Sequence, residues 1–142
     1  MRNGDDSAQE VASDHARMRD FRKIIAWQKA HALTVSLTDA VDAKRFRVRP
    51  RLRSQLFRSV DTIGAAISEG SGKPTEAEFA RYLDIAMATA KEAENHLLVA
   101  QDTGCLDRAV ADRCLAELDE VKAILFSYTR AVRPLRGGGN LR

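Results

Sequence analysis

Apolar residues recur every three or four positions along most of this chain, which is the period of α-helices that bury one face. Apolar and polar residues never alternate cleanly over the length of a β-strand. The pattern predicts four helices, at about residues 21–42, 50–69, 75–101 and 107–132. We therefore expect an all-α protein.

Each predicted helix carries an apolar stripe with the heptad-like spacing of packed helices. The stripes of the second, third and fourth helices are Leu52, Leu56, Val60, Ile63 and Ile67; Phe79, Leu83, Ala86, Ala90, Ala93 and Leu97; and Val110, Cys114, Leu118, Val121, Leu125, Tyr128 and Val132. The first helix has two adjacent stripes. One consists of Ile24, Trp27, His31, Thr34 and Val41, and the other consists of Ala26, Ala30, Leu33 and Leu37. Because the connections are short, the predicted fold is an antiparallel up-down-up-down four-helix bundle.

The length of 142 residues fits one domain. We expect the bundle to span residues 19–133, between a flexible leader at 1–18 and a flexible tail at 134–142 that contains three consecutive glycines. No apolar run approaches the roughly 20 residues of a membrane span, and the N-terminus lacks the apolar segment of a secretory signal. The expectation is a cytoplasmic protein without membrane contact.

The stretch ISEGSGKPTE, which begins at Ile67, resembles part of a phosphate-binding loop. Such a loop requires GxxxxGK[ST] between a strand and a helix. Here Ile67 replaces the first glycine, Pro74 replaces the hydroxyl residue, and the preceding segment is predicted to be helical. A turn explains the stretch better, with Gly70 at a positive φ after the second helix and Thr75 and Glu78 forming a capping box.

The remaining candidates for chemistry are isolated. Cys105 and Cys114 form no CxxC motif, and we expect two buried or half-buried thiols in a reducing compartment. His96 follows Glu92 by four positions, as in a metal-binding pair, but no third ligand is nearby in the sequence. His31 is expected on the inward-facing edge of the first helix. We therefore predict no enzymatic activity, no cofactor and no metal site.

The strongest functional signal is a basic cluster without any acidic residue between its ends. It consists of Lys44, Arg45, Arg47, Arg49, Arg51, Arg53 and Arg58. If residues 45–49 are extended, alternate arginines project to the same side. The cluster is either a phosphate-binding surface for nucleic acid or a solvated helix end that pairs with acidic residues such as Asp102, Asp107 and Asp112.

A second, less dense basic set is expected at the other end of the bundle. Its members are Arg17, Arg19, Arg22, Lys23, Lys73, Arg130, Arg133 and Arg136. Few exposed aromatic residues lie among these cations, which gives little support for stacking of single-stranded bases.

Four stretches resemble a known family. They are DFRKIIAWQKAHAL at 20–33, RSVDTIGAAISEGSGK at 58–73, EFARYLDIAMATAKEAENHLLVAQDTGCL at 78–106, and the amphipathic last helix. Together they resemble the four-helix-bundle proteins encoded by intervening sequences within bacterial 23S ribosomal RNA genes, over about residues 18–130. The chain departs from the usual family pattern at Gly64, where proline is common, and at Ala66, where asparagine is common.

The resemblance implies a four-helix bundle without an established enzymatic activity, and some family members assemble as pentameric rings. It also extends to the accessory variability proteins of diversity-generating retroelements, which form basic pentamers that bind nucleic acid and a reverse transcriptase. We accordingly hypothesise a non-enzymatic, ring-shaped homo-oligomer, with a pentamer favoured, that binds structured RNA or DNA with weak sequence preference. The alternative hypothesis is a protein–protein adaptor, for example for a reverse transcriptase.

Overall fold

A computed structural model describes residues 19–133, and these residues form four α-helices and no β-strand. The helices are α1 (Ile25–Ala40), α2 (Pro50–Ser71), α3 (Glu76–Asp102) and α4 (Arg108–Val132). Short 3-10 turns lie before α1, at Phe21–Lys23, and between α1 and α2, at Ala43–Phe46. The all-α prediction is confirmed, whereas the predicted leader at 1–18 and tail at 134–142 lie outside the described residues.

Local sequence explains where these helices begin and end. Pro50 occupies the first position of α2, where its missing N–H costs no helical hydrogen bond. The Thr75 hydroxyl caps α3 by accepting from the Glu78 amide at 3.2 Å, as the capping-box pattern predicts. After α3, Gly104 adopts a φ of +74°, which lets the Cys105 amide donate back to the Ala100 carbonyl at 2.9 Å.

The predicted apolar stripes form the core. Every residue of the α2 and α3 stripes is buried, whereas the α4 stripe is buried at its centre and partly buried at Val110, Tyr128 and Val132. In α1 the buried stripe is the alanine- and leucine-containing one, and from the other stripe only Ile24 is buried. The α1 backbone lies close to α2 and α4, and the α3 backbone lies close to the same two helices, with the α2–α3 contact the most extensive.

Polar pairs link α3 to α4 along their length. Asp84 accepts from Arg133 at 2.6 Å, Glu94 pairs with Lys122, and Gln101 donates to Asp112 at 2.9 Å. As residue numbers rise along α3, the numbers of their α4 partners fall.

The single tryptophan lies at the contact between α1 and α2. Its neighbour His31 is not placed as predicted. Trp27 is half-buried, and Phe21 meets its ring edge-on with centroids 5.1 Å apart. His31 is exposed rather than inward-facing, and it stacks on Trp27 with centroids 4.7 Å apart. On α2, Gly64 faces the indole, since a Cβ at this position would lie 3.5 Å from Trp27 Nε1.

Gly70 has a different role from the predicted one. Its φ is not positive, because Gly104 is the one positive-φ residue in the described range. Instead, Gly70 is buried in the last turn of α2, where an added Cβ would lie 2.5 Å from Tyr82 Cβ and 3.0 Å from Phe79 Cδ2. Glycine is needed here because α2 and α3 approach too closely for any side chain.

Candidate nucleic-acid interface

The basic cluster surrounds the N-terminal end of α2, which we name the arginine end and define as residues 43–58 with the facing connection 103–107. Phe46 fixes this end to the bundle, since it is 1% exposed. The Arg47 amide donates to the Lys44 carbonyl at 3.3 Å, and the Arg49 amide donates to the Phe46 carbonyl at 3.0 Å. Residues 45–49 are therefore folded rather than extended, and the predicted alternation of arginine side chains is wrong.

All seven basic side chains of the cluster are exposed. Only Arg45 has an acidic partner among residues 19–133, because it forms an ion pair with Asp107. Six side chains have neither an ion pair nor a side-chain hydrogen bond within that range: Lys44, Arg47, Arg49, Arg51, Arg53 and Arg58. Their charge is therefore available to a ligand.

The start of α2 adds to this positive potential. No acidic residue lies in the first turn, and the side chain of Arg49, the N-cap residue, accepts no hydrogen bond there. The first amides of a helix lack internal partners, and the helix dipole is positive at this end. The backbone of α2 thus reinforces the attraction of the arginines for anions.

Of the acidic residues predicted as partners for the cluster, Asp107 pairs with it and Asp112 has other partners. Asp107 is the N-cap of α4, but its carboxylate makes no cap hydrogen bond and pairs with Arg45 instead. Asp112 accepts from Gln101 at 2.9 Å and lies 4.0 Å from Arg108 in its own helix. Charge pairing therefore accounts for one member of the cluster.

The second basic set lies mainly at the other end of α2, which we name the clasp end and define as residues 19–24, 71–84 and 126–133. Here Arg19 is largely buried, donates to the Lys73 carbonyl and pairs with Glu76. Arg133 pairs with Asp84 at 2.6 Å. Arg22 pairs with Asp20 at 3.1 Å, and this guanidinium lowers the pKa of the Asp20 carboxyl.

Two further cations at the clasp end lie over aromatic rings rather than against carboxylates. Lys73 Nζ lies 5.1 Å from the centroid of the Tyr82 ring, and the Arg130 guanidinium lies 5.7 Å from that of Phe126. Arg17 and Arg136, the two remaining members of the predicted set, lie outside the described residues. At the clasp end, Arg19 and Arg133 therefore join separate segments of the protein, whereas Arg22 and Arg130 contact near neighbours in sequence.

The other candidate residues remain separate. His96 Nε2 lies 3.4 Å from Glu92 Oε1, and no group of three potential metal ligands occurs within residues 19–133. Cys105 and Cys114 are free and buried, as predicted. Burial, with a smaller contribution from Glu117, raises the pKa of the Cys114 thiol, which disfavours the reactive thiolate.

Sequence reasoning missed a surface groove between α1 and α4. Its volume is about 650 Å³, and its walls are mainly apolar, with Ile24, Ile25, Ile124 and Tyr128 among the lining residues. The Ile25 side chain is 59% exposed. The sequence did contain an indication of this groove. Ile24 and Ile25 are adjacent, and only one of two adjacent residues can enter the core.

None of the helices in the described range is both long and apolar enough to cross a lipid bilayer.

Comparisons with known proteins identify a family from the sequence and a shared fold from a solved structure. The family model described as 23S rRNA-intervening sequence protein matches residues 22–127. A crystal structure of a protein with unknown function from the S23 ribosomal protein family of Bacteroides thetaiotaomicron VPI-5482 superposes with a TM-score of 0.66. It is 23% identical, and the alignment covers 75% of this chain and 99% of that chain, so the likeness establishes a shared fold. No curated protein sequence matches significantly.

Proposed function

Since the chain belongs to the family of 23S rRNA-intervening sequence proteins, we propose that it is a non-enzymatic, oligomeric four-helix bundle that binds structured RNA or DNA. Binding takes place at the arginine end and has weak sequence preference. The S23-family structural relative is itself described as a protein of unknown function, so the proposal rests on the geometry of this chain.

The observation that carries the proposal is the group of exposed basic side chains at the arginine end that have no acidic partner within residues 19–133. A cationic surface that merely maintains solubility gains from interspersed carboxylates, whereas residues 43–58 contain none. Guanidinium groups bind phosphate oxygens in a forked geometry, and displacement of counterions from nucleic acid then drives association.

Phosphate binding also explains the weak sequence preference. The aromatic side chains in this region are withdrawn from the surface, because Phe46 is buried and Phe57 is half-buried. The surface therefore offers cations for the backbone of a nucleic acid and no aromatic platform for unstacked bases.

We propose that consecutive helices of the bundle are antiparallel, which is supported by the opposite order of the α3 and α4 partners in their polar pairs. We also propose a ring-shaped homo-oligomer, with a pentamer favoured by the family resemblance. In such a ring the arginine end is repeated in every subunit, so that weak phosphate contacts act together.

A salt titration of the wild-type protein tests the proposal. Electrophoretic mobility shifts with a DNA duplex should give a slope of log affinity against log salt of about −5, if each of the six unpaired cations neutralises one phosphate. Sequencing of nucleic acid that copurifies with the native oligomer, together with mass determination, would identify the natural ligand. A salt-independent affinity, or no binding at low salt, would refute the proposal.

A second candidate function, that of a protein adaptor, is favoured by the groove between α1 and α4. Exposed apolar surface beside Ile25 is suited to a protein partner, for example a reverse transcriptase, rather than to phosphates. Affinity purification after nuclease treatment separates the two candidates. A protein partner retained by the wild type and lost from Ile25→Glu, with no nucleic acid bound at low salt, would favour the adaptor.

A further inference from the structure

Val48 lies at the tip of the arginine end and is the most exposed large apolar side chain in the described residues, at 91%. The other exposed large apolar side chains all lie within helices and are between 39% and 59% exposed. Val48 instead occupies the connection between the 3-10 turn and α2, flanked by Arg47 and Arg49. It contributes nothing to the core. An exposed apolar side chain among cations is best explained by a ligand that covers it.

The backbone around Val48 is held in place. The Arg49 amide donates to the Phe46 carbonyl at 3.0 Å, and the Leu52 amide donates to the Arg49 carbonyl at 3.1 Å. Leu52 and Phe46 are both buried, so the tip is anchored on each side of Val48. A ligand that covers Val48 therefore does not have to order a flexible loop first.

The surroundings of Val48 favour nucleic acid over protein as its partner. The centre of a protein–protein interface is depleted of charged residues, whereas Val48 lies between two unpaired arginines. Proteins that bind nucleic acid in a minor groove combine arginines on the backbone with an apolar side chain against sugars or bases.

The size of the valine distinguishes between the two kinds of duplex. The minor groove of B-form DNA is about 6 Å wide, and the side chains that wedge into it are long, such as phenylalanine, leucine or methionine. The minor groove of A-form RNA is wide and shallow, and it presents ribose groups near its surface. A short, β-branched side chain that is 91% exposed can reach that surface without insertion.

We propose that the arginine end binds double-stranded RNA across its minor groove, with Val48 against ribose or base edges and Arg47 and Arg49 on the flanking phosphates. This inference rests on the proposed function, since it names the class of nucleic acid and one contact that is not electrostatic. It predicts that Val48 contributes to affinity without contributing to the salt dependence, because it neutralises no phosphate.

The test compares the wild type with Val48→Ala, and uses Val35→Ala as a matched control because Val35 is also exposed, at 47%, but lies in α1. Each protein is titrated with an RNA duplex, a DNA duplex of the same length and sequence, and the single-stranded RNA. Val48→Ala should weaken binding to the RNA duplex about threefold to tenfold, and the salt slope should stay the same. Val35→Ala should bind like the wild type.

Thermal unfolding should be the same for Val48→Ala and the wild type, since the side chain packs against nothing. The inference is overturned if Val48→Ala binds the RNA duplex normally, if it weakens all three ligands equally, or if the wild type prefers DNA. Loss of a bound protein partner with unchanged RNA affinity would also overturn it. In each of these cases nucleic-acid binding itself would still stand, whereas failure of the wild type to bind any of the three ligands would remove both proposals.

Discussion

Both ends of α2 carry basic residues, more densely at the arginine end, and the two ends use them differently. At the clasp end, Arg19 joins the segment before α1 to the α2–α3 turn, and Arg133 joins α4 to α3. At the arginine end, Arg45 alone has such a partner within residues 19–133. A count of basic residues alone does not reveal this difference, because it lies in where the carboxylates are placed.

This comparison separates two uses of arginine that a sequence presents as one. An arginine with a nearby carboxylate contributes to the fold and little to the external potential. An arginine without one contributes little to the fold, and its charge remains available to a polyanion. The predictions below test whether the two ends are really divided in this way.

The largest effect is expected from removal of the unpaired arginines. Replacement of Arg47, Arg49, Arg51 and Arg53 with Gln should lower the affinity for a DNA duplex about 100-fold at moderate salt, and should reduce the salt slope by about 3 to 4. Mobility shifts measure both quantities, and circular dichroism should report an unchanged fold.

The matched control removes the same charge at the clasp end, by replacement of Arg22, Lys23, Arg130 and Arg133 with Gln. It should change the affinity no more than a few-fold, because two of these residues are paired with carboxylates and one lies over an aromatic ring. Equal losses of affinity in the two variants would show that only total charge matters.

The next largest effect concerns the contact between α2 and the clasp end. Gly70→Ala should lower the free energy of unfolding by about 2 to 3 kcal/mol, because the new methyl group overlaps Tyr82 and Phe79. Gly64→Ala, in the same helix, has room beside Trp27 and should raise that free energy by about 0.5 to 1 kcal/mol through helix propensity. Urea denaturation of the two variants measures the contrast, and similar stabilities would contradict it.

A smaller effect on affinity is expected when a single arginine is released from its carboxylate partner. Asp107→Asn releases Arg45, so affinity for a DNA duplex should rise about two- to fivefold and the salt slope should steepen by roughly 1. Asp84→Asn releases Arg133 at the clasp end and should leave the affinity nearly unchanged. Both variants should lose less than about 1 kcal/mol of stability, as expected for exposed ion pairs. An equal gain of affinity in both would argue against a localised surface.

The smallest expected effect is a pH dependence that belongs to the clasp end. Burial, and secondly Glu76, raises the pKa of Tyr128 above its usual value of 10.0 in the folded protein. The unfolded chain therefore loses this proton first as the pH rises. Its contribution to stability is complete below pH 10 and is lost as the pH passes through the raised pKa.

The free energy of unfolding should consequently fall more steeply above pH 10 in the wild type than in Tyr128→Phe, by less than about 1.4 kcal/mol per pH unit. Urea denaturation at constant ionic strength measures these slopes. Identical slopes in the two proteins would mean that Tyr128 titrates normally.

The core was predictable from sequence because helical periodicity depends on local spacing alone. The stripes from Leu52 to Ile67 and from Phe79 to Leu97 are buried as predicted. Gly70 was misjudged because close approach of α2 and α3 is a tertiary property, whereas a positive φ is the more common local reason for glycine. His31 was misjudged because Trp27 covers only one face of its ring and leaves the side chain in solvent.

The site was predictable in composition but not in geometry. The sequence identifies the cluster from Lys44 to Arg58, yet partners such as Asp107 for Arg45 are 62 residues away. The 3-10 turn at Ala43–Phe46 places Phe46 in the core, and the Asp42 carboxylate caps the turn by accepting from the Lys44 amide at 3.0 Å. Pairing and loop conformation both depend on contacts that no local pattern encodes.

The packing of Trp27 also provides a spectroscopic reporter. It is the only tryptophan in the chain, and its indole packs against Phe21 and His31 and faces Gly64 of α2. Its fluorescence emission therefore monitors the α1–α2 contact without any added label. Because Val48 and its flanking arginines follow the C-terminal end of α1, whereas Trp27 lies near its start, ligand titrations should leave the emission maximum unchanged. Separation of the first two helices should shift it to the red.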